Sequence, residues 1–433
     1  MNQSLHTLPN GVRLLAVPMP HVRSASVGVF LRVGSRNETP ASNGISHVLE
    51  HMAFKGTATR SVQAINLDAE RLGADVNAFT SKDTTAYFMT GLGRHADQLL
   101  RMTADIVLNS TFPEAELRRE LDVIRQEATE YAEDPQESSA DLLDRALWGD
   151  HPMGMPVIGT LENIDRFTRG DLVAHVKAHY VAGNTVVAVA GNVDVESFFT
   201  LAETLFAGMP AHAGPQPAAV LPAPAYVGRA LGQRFRQVSQ VFVNLAYPVL
   251  PPSAQEMPQQ QWRLAASVAA LLLGGGMSAP LADTLRERLG LAYMVQADPE
   301  SGDNWFNIAV QAVTTPDKLA QMAAATGKLL RAQADAIDPV HLERAKNQLS
   351  VSRVRASEST HATMERAVEE LFLRGAVTPA AQVLSMIDAV TADDVRAVFE
   401  RALMHRPALA ITGKDATAKA AGELAKMLVA ASR

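Results

Sequence analysis

The sequence contains no cysteine. Disulfides, thiolate metal sites and a cysteine nucleophile are therefore excluded, and any transition metal must be held by His, Asp or Glu. It also lacks a basic excess: 39 Lys+Arg stand against 46 Asp+Glu, a formal net charge of −7. That balance argues against a nucleic-acid partner and against docking on anionic membranes. No uninterrupted apolar run of membrane length is present. Leu264 to Ala282 is 19 residues without a charge, but Gly274-Gly275-Gly276 and Pro280 break it. A buried helix running into a glycine-rich turn is expected there. The N-terminal Met1-Asn2-Gln3-Ser4-Leu5-His6 shows neither the basic nor the apolar region of a signal peptide. The expectation is a cytoplasmic protein, or a periplasmic one if a leader has been removed.

What is there suits a soluble chain of two or three domains: 433 residues, 47% hydrophobic and 20% charged. Pro9-Asn10-Gly11 predicts a hairpin turn between Leu5–Leu8 and Val12–Val17. Ala25–Val33, Asp75–Phe79, Thr85–Thr90 and Thr185–Ala190 read as strands. Ile45–Phe54 and Ser61–Leu72 read as helices, and Pro113 starts a long helix to about Tyr131. A Pro/Ala-rich stretch, Pro210 to Pro224, looks like an interdomain linker. Beyond it the chain repeats itself. Ile164-Asp165, Thr168 and Asp171 reappear as Ile387-Asp388, Thr391 and Asp394, all offset by 223. Each block places a Thr N-cap with Asp three residues later before a helix, and each helix is followed by a strand and a glycine, Gly191 or Gly413. The fold expected is α+β, two similar domains from an internal duplication, each a mainly antiparallel sheet packed with helices. The boundaries expected are 1–209, a linker at 210–228, and 229–433.

The chemistry concentrates in His47-Val48-Leu49-Glu50-His51. On a helix the two histidines are four apart and leave the same face, and Glu50 flanks that face. Zinc held by nitrogen ligands with an open position lowers the pKa of bound water to about 7. A neighbouring carboxylate can then take the proton as water attacks a peptide carbonyl and return it to the leaving amine. His-x-x-Glu-His is the inverzincin arrangement. A third ligand is needed. The helix after Pro113 carries Glu120 and Glu127, seven apart on one face, and spacing alone does not choose between them. His175 and His179 share helical spacing but have Lys177 between them and no adjacent carboxylate, and read as surface helix.

Gly44 to Thr57, GISHVLEHMAFKGT, resembles the zinc signature of the pitrilysin/insulinase family of metallopeptidases. The branch it most resembles contains the mitochondrial processing peptidase β-subunit and short bacterial homologues, and the resemblance covers nearly the whole chain. It implies one Zn2+ per chain held by His47, His51 and Glu127, with Glu50 as the catalytic carboxylate and Glu120 orienting the site. Ala74 to Thr80 resembles the family's edge strand, which implies peptide binding along Asn77, Ala78, Phe79 and Thr80. Leu285 to Tyr293 resembles its Arg/Tyr pair, which implies that Arg286 and Tyr293 hold substrate, the tyrosine hydroxyl near the scissile carbonyl. The second half has no His-x-x-Glu-His: position 47 moved by 223 falls on Ala270. The expected protein is a zinc-dependent endopeptidase acting on peptides or unfolded segments in an enclosed chamber. Because one chain carries both motifs, a homodimer is expected, with a heterodimer of homologues as the competing assembly. The alternative functions are a presequence-processing subunit working with a partner and a non-catalytic structural homologue.

Overall fold

A computed structural model of the chain describes residues 3–211, 224–253, 255 and 257–433. Most of the expected linker, residues 212–223, lies outside the described residues. The described chain forms two compact units. The first is built from the described residues of Met1–Thr129, Pro156–Val220 and Val354–Ala380. The second is built from those of Glu130–Met155, Leu221–Arg353 and Ala381–Arg433. Two segments, 130–155 and 354–380, thus cross the boundary expected from the sequence.

In the first unit six strands form one sheet: β1 (Ser4–Thr7), β2 (Arg13–Pro18), β3 (Ser24–Leu31), β4 (Asp75–Thr80), β5 (Thr85–Leu92) and β6 (Thr185–Gly191). Their order is β1-β2-β6-β3-β5-β4. In the second unit β7 (Ala230–Arg234), β8 (Val241–Pro248), β9 (Met294–Ser301), β10 (Phe306–Thr314) and β11 (Ala408–Gly413) are ordered β7-β11-β8-β10-β9. With β1 set aside, the two orders correspond strand for strand. The one parallel pair matches as well, β2 with β6 and β7 with β11. All other pairs are antiparallel. The duplication read from four residues is therefore carried by the whole topology. Both expected capping boxes form. Thr168 and Thr391 each accept from the N–H of the Asp three residues on, and that Asp accepts from the Thr N–H in return.

The central strands are buried on both faces, so they read as nearly continuous apolar runs such as Thr185-Val186-Val187-Ala188-Val189-Ala190. One face of the first sheet packs Val27, Val29, Tyr87, Val187 and Val189 against helices Ala96–Leu108 and Val195–Phe206. The opposite face presents Leu15, Val17, Phe30, Phe88, Val186 and Ala188. It is covered by Met364, Ala367, Val368, Leu371 and Phe372 of helix Thr360–Arg374. The second sheet mirrors this. One face packs on helices Gln259–Gly274 and Leu319–Asp335. The other places Ala246, Ala309, Ala408 and Ala410 under Leu143, Ala146, Leu147 and Trp148 of helix Pro135–Trp148.

These two covering helices correspond under the 223-residue offset, and each lies in the unit built mainly from the other half of the chain. Each is also stitched to its sheet by a buried polar bond at the matching strand. Thr360 Oγ1 lies 2.8 Å from Ser26 Oγ on β3, and Asn244 Nδ2 on β8 donates to Ser139 Oγ at 2.7 Å. The charge-free stretch beginning at Leu264 is the body of helix Gln259–Gly274, as expected. At Gly274 a Cβ would lie 2.2 Å from the Ala297 nitrogen, so the first glycine of the triplet is required by the close approach of β9. Among the described residues no helix is long and apolar enough to cross a membrane.

Candidate metal centre

Helix Ile45–Ala53 is fixed at its start before it presents any functional group. Gly44 adopts φ +99, and a Cβ there would meet the Gly159 Cα at 2.7 Å, so only glycine fits. The carboxylate of Glu38, 3% exposed, accepts from the Gly44 N–H at 2.8 Å, the Ser46 N–H at 2.9 Å and Asn43 Nδ2 at 3.1 Å. These bonds satisfy N–H groups at the helix N-terminus, where negative charge is also favoured by the helix dipole. Burial raises the Glu38 pKa, and the hydrogen bonds oppose that rise. The inner face of the helix, Ile45, Val48, Leu49 and Met52, packs against Leu117, Ile124 and Ala128 of helix Glu114–Glu133. Positions adjoining this apolar contact on the two helices are thereby brought into register.

That register brings three donors together. The rings of His47 and His51 have centroids 4.6 Å apart. Glu127 Oε2 lies 3.9 Å from His47 Nε2 and 3.7 Å from His51 Nε2. These distances are too long for hydrogen bonds. They suit donors sharing one ion: two ligands about 2.1 Å from zinc at a tetrahedral angle stand about 3.4 Å apart. Among the described residues this is the one group of three or more His, Asp or Glu able to hold a metal ion. Burial, followed by the His51 neighbour, lowers the His47 pKa to about 4, which keeps its imidazole neutral and able to ligate at pH 7.

Glu120 stands on the other side of the His51 ring. Its Oε1 is 2.9 Å from His51 Nδ1, and its Oε2 is 2.7 Å from Lys55 Nζ. Burial works to raise the Glu120 pKa, but the hydrogen bonds from His51 and Lys55 outweigh it and hold the carboxyl below its ordinary value. The choice that spacing left open between Glu120 and Glu127 is thus divided by geometry. Glu127 meets the two Nε2 atoms, while Glu120 meets only the far nitrogen of one ring. Lys55 and Glu38 were not singled out from the sequence. Lys55 lies four residues after His51, which is the available signal for it. Glu38 is held by a loop geometry that no periodicity encodes.

Glu50 shares this helix and is half-buried. Burial raises its pKa, opposed by a hydrogen bond from Thr80 Oγ1 to Oε2 at 2.6 Å. Thr80 ends β4, which among the described strands is one of the two edges of the sheet, paired only with β5. Along this edge Asn77 is exposed and its Oδ1 accepts from the Ala78 N–H at 2.8 Å, while Phe79 packs beside Phe88. Arg286 and Tyr293 lie in the second unit and meet each other, the guanidinium carbon 5.9 Å from the tyrosine ring centroid. Tyr293 is 76% exposed. Arg286 sits on a π-helical turn, Ala282–Arg288. His175 and His179 also pair, with ring centroids 4.4 Å apart. His175 is buried rather than a surface residue, and among the described residues no third donor completes a cluster around it.

Fold and cluster together define a two-unit α+β protein with a His-His-Glu centre of metallopeptidase type. Residues 13–161 match the Insulinase (Peptidase family M16) model, and residues 166–349 match the Peptidase M16 inactive domain. The chain is 32% identical over 407 residues to the uncharacterized zinc protease YmxG of Bacillus subtilis, covering 94% of this chain and 97% of the relative. It is 33% identical over 418 residues to an uncharacterized zinc protease of Mycobacterium leprae, covering 95% and 92%. This chain belongs to peptidase family M16, the insulinase family. Its fold is shared by a Pseudomonas fluorescens structure described as a peptidase M16 inactive domain, with TM-score 0.84, 21% identity and coverage of 96% and 98%. It is shared also by a protease from Helicobacter pylori, with TM-score 0.83, 21% identity and coverage of 95% and 99%. A chain of complex III2 from Candida albicans has TM-score 0.80 at 19% identity, covering 97% and 99%.

Proposed function

We propose that this protein is a zinc-dependent endopeptidase of peptides or unfolded segments. The observation that carries the reading is the meeting of His47, His51 and Glu127 within 4.8 Å, with the Glu50 carboxylate on the same helix. Zinc bound by these three residues would supply a Lewis acid that polarises the scissile carbonyl and acidifies water. Glu50 takes the proton from the attacking water and delivers it to the leaving amine. Glu120 accepts from His51 Nδ1, which fixes the tautomer that leaves Nε2 as the ligand atom. The open edge of β4 around Asn77–Thr80 binds extended peptide by backbone hydrogen bonds, a mode largely indifferent to side chains. Arg286 and Tyr293 are proposed to hold the peptide at the zinc of a second copy of the chain, the phenol donating to the developing oxyanion. We further propose a homodimer enclosing a chamber that admits unfolded chains only. Native mass measurement distinguishes it from a heterodimer with a homologue.

The test is hydrolysis of a quenched fluorescent peptide by the purified chain, with and without chelator. Activity should vanish with chelator and return with Zn2+. Glu50→Gln should lower the rate by about 10²–10⁴-fold while metal analysis finds the same zinc content. Full activity in that variant overturns the role of Glu50. The second reading, a non-catalytic structural homologue, draws on the fold shared with the complex III2 chain. It requires that the zinc-loaded chain cleave nothing.

A further inference from the structure

Thr80 belongs to the edge strand to which peptide binding is assigned, yet its side chain does something different from its backbone. Its hydroxyl lies 2.6 Å from Glu50 Oε2, within the range of a charge-assisted O–H···O⁻ bond. The same oxygen is 3.5 Å from the Ser46 carbonyl. A hydroxyl has one proton to give, and the shorter contact to the carboxylate takes it. Among the described residues Glu50 receives no other hydrogen bond. Glutamate is one of the side chains with the most rotamer freedom to lose, whereas a β-branched threonine is stiff at χ1. Thr80 is itself fixed: it pairs with Thr85 across the β4–β5 ladder, and the next residue, Ser81, donates its N–H to Thr84 O at 2.8 Å. A flexible acid on the metal-binding helix is thus tied to a rigid donor on the sheet edge.

We propose that Thr80 is a positioning residue for Glu50. Its hydroxyl holds Oε2, so that Oε1 is the oxygen that exchanges the proton, while the Thr80 backbone remains part of the peptide-binding edge. Proton transfer is geometrically demanding, and a displacement of about 1 Å costs up to about 10²-fold in rate. The proposal rests on the peptidase reading given above, and it predicts that the side chain of Thr80 affects the chemical step rather than peptide binding.

Thr80→Val keeps the shape and removes only the hydroxyl; Thr80→Ser keeps the hydroxyl. Steady-state cleavage of one quenched fluorescent peptide should show Thr80→Val lowered about 10- to 100-fold in kcat with KM and zinc content unchanged. Thr80→Ser should stay within roughly threefold of the parent in kcat. A crystal structure of Thr80→Val, which needs no turnover, should show the Glu50 carboxylate turned from its place. An unchanged kcat and an unmoved carboxylate in Thr80→Val overturn the proposal. A raised KM with unchanged kcat also overturns it and makes the hydroxyl a substrate contact. If instead the parent chain cleaves nothing, or Glu50→Gln cleaves as fast as the parent, the peptidase reading itself falls. The Thr80→Val structure still decides whether the hydroxyl orders the carboxylate.

Discussion

At the scale of single residues, the centre is a set of short bonds that leave each group one task. His51 is gripped at Nδ1 by Glu120 and presents Nε2 to the gap shared with His47 and Glu127. Together with His51, Lys55, 2.7 Å from the other Glu120 oxygen, holds that carboxyl below its ordinary pKa against the effect of burial. Replacing Glu120 by alanine should lower zinc affinity about 10- to 100-fold, measured by competition with a chromogenic chelator, with the fold intact by circular dichroism. Retention of parental affinity would show that orientation of His51 does not depend on Glu120. At this scale much was readable in the sequence. His47, Glu50 and His51 declare themselves because helical geometry turns a four-residue spacing into a shared face. Glu127 was not separable from Glu120 on such grounds, since seven residues put both on one stripe. Only the depth and roll of helix Glu114–Glu133, set by Leu117, Ile124 and Ala128, decide which carboxylate reaches the gap. The Thr80 hydroxyl bond joins a helix and a strand 30 residues apart, and no periodic signal links them.

At the scale of elements, local chemistry was a good guide. The turn at Pro9-Asn10-Gly11 forms between β1 and β2, closed by Leu8 N–H to Val12 O at 2.8 Å. Pro113 directly precedes helix Glu114–Glu133, and Ser61 caps helix Val62–Leu72 through the Ala64 N–H. The repeated caps offer a direct comparison. Thr168→Ala and Thr391→Ala each remove a side chain that accepts from the third helical N–H. Each should destabilise the protein by about 1 kcal/mol, read as a lowered denaturation midpoint at unchanged slope. If one substitution proved silent while the other cost several kcal/mol, the two caps would not be equivalent despite their shared pattern. The π-helical turn at Ala282–Arg288 was not legible. Its sequence would serve an ordinary helix, and the wider turn shows as the five-residue bond from Leu289 N–H to Thr284 O at 3.1 Å.

At the scale of the whole molecule, the sequence supports two similar halves, and the matched strand orders agree with it. What it conceals is the exchange of covering helices. Nothing in the composition of Pro135–Trp148 or Thr360–Arg374 says which sheet each will cover, because both are amphipathic and either apolar stripe suits an apolar sheet. The consequence is measurable. Residues 1–209 alone would leave Leu15, Val17, Phe30 and Phe88 without the cover of Met364, Val368, Leu371 and Phe372. Losing four buried side chains of this size, at about 1.5–3 kcal/mol each, removes roughly 6–12 kcal/mol. That is comparable with the entire stability of an ordinary domain. The isolated fragment should aggregate or bind a hydrophobic dye, and adding a peptide of residues 354–380 should relieve this. A soluble, cooperatively unfolding 1–209 fragment would refute the dependence.

The same exchange sets a timetable for biosynthesis. The last strand of the first sheet, β6, ends at Gly191, but the helix that seals its second face ends at Arg374, roughly 180 residues later. At about 5–20 residues per second, the ribosome needs roughly 10–40 s to deliver it. During that interval the nascent chain carries an open greasy face, a target for chaperones. Its first half cannot finish folding until most of the second has been translated.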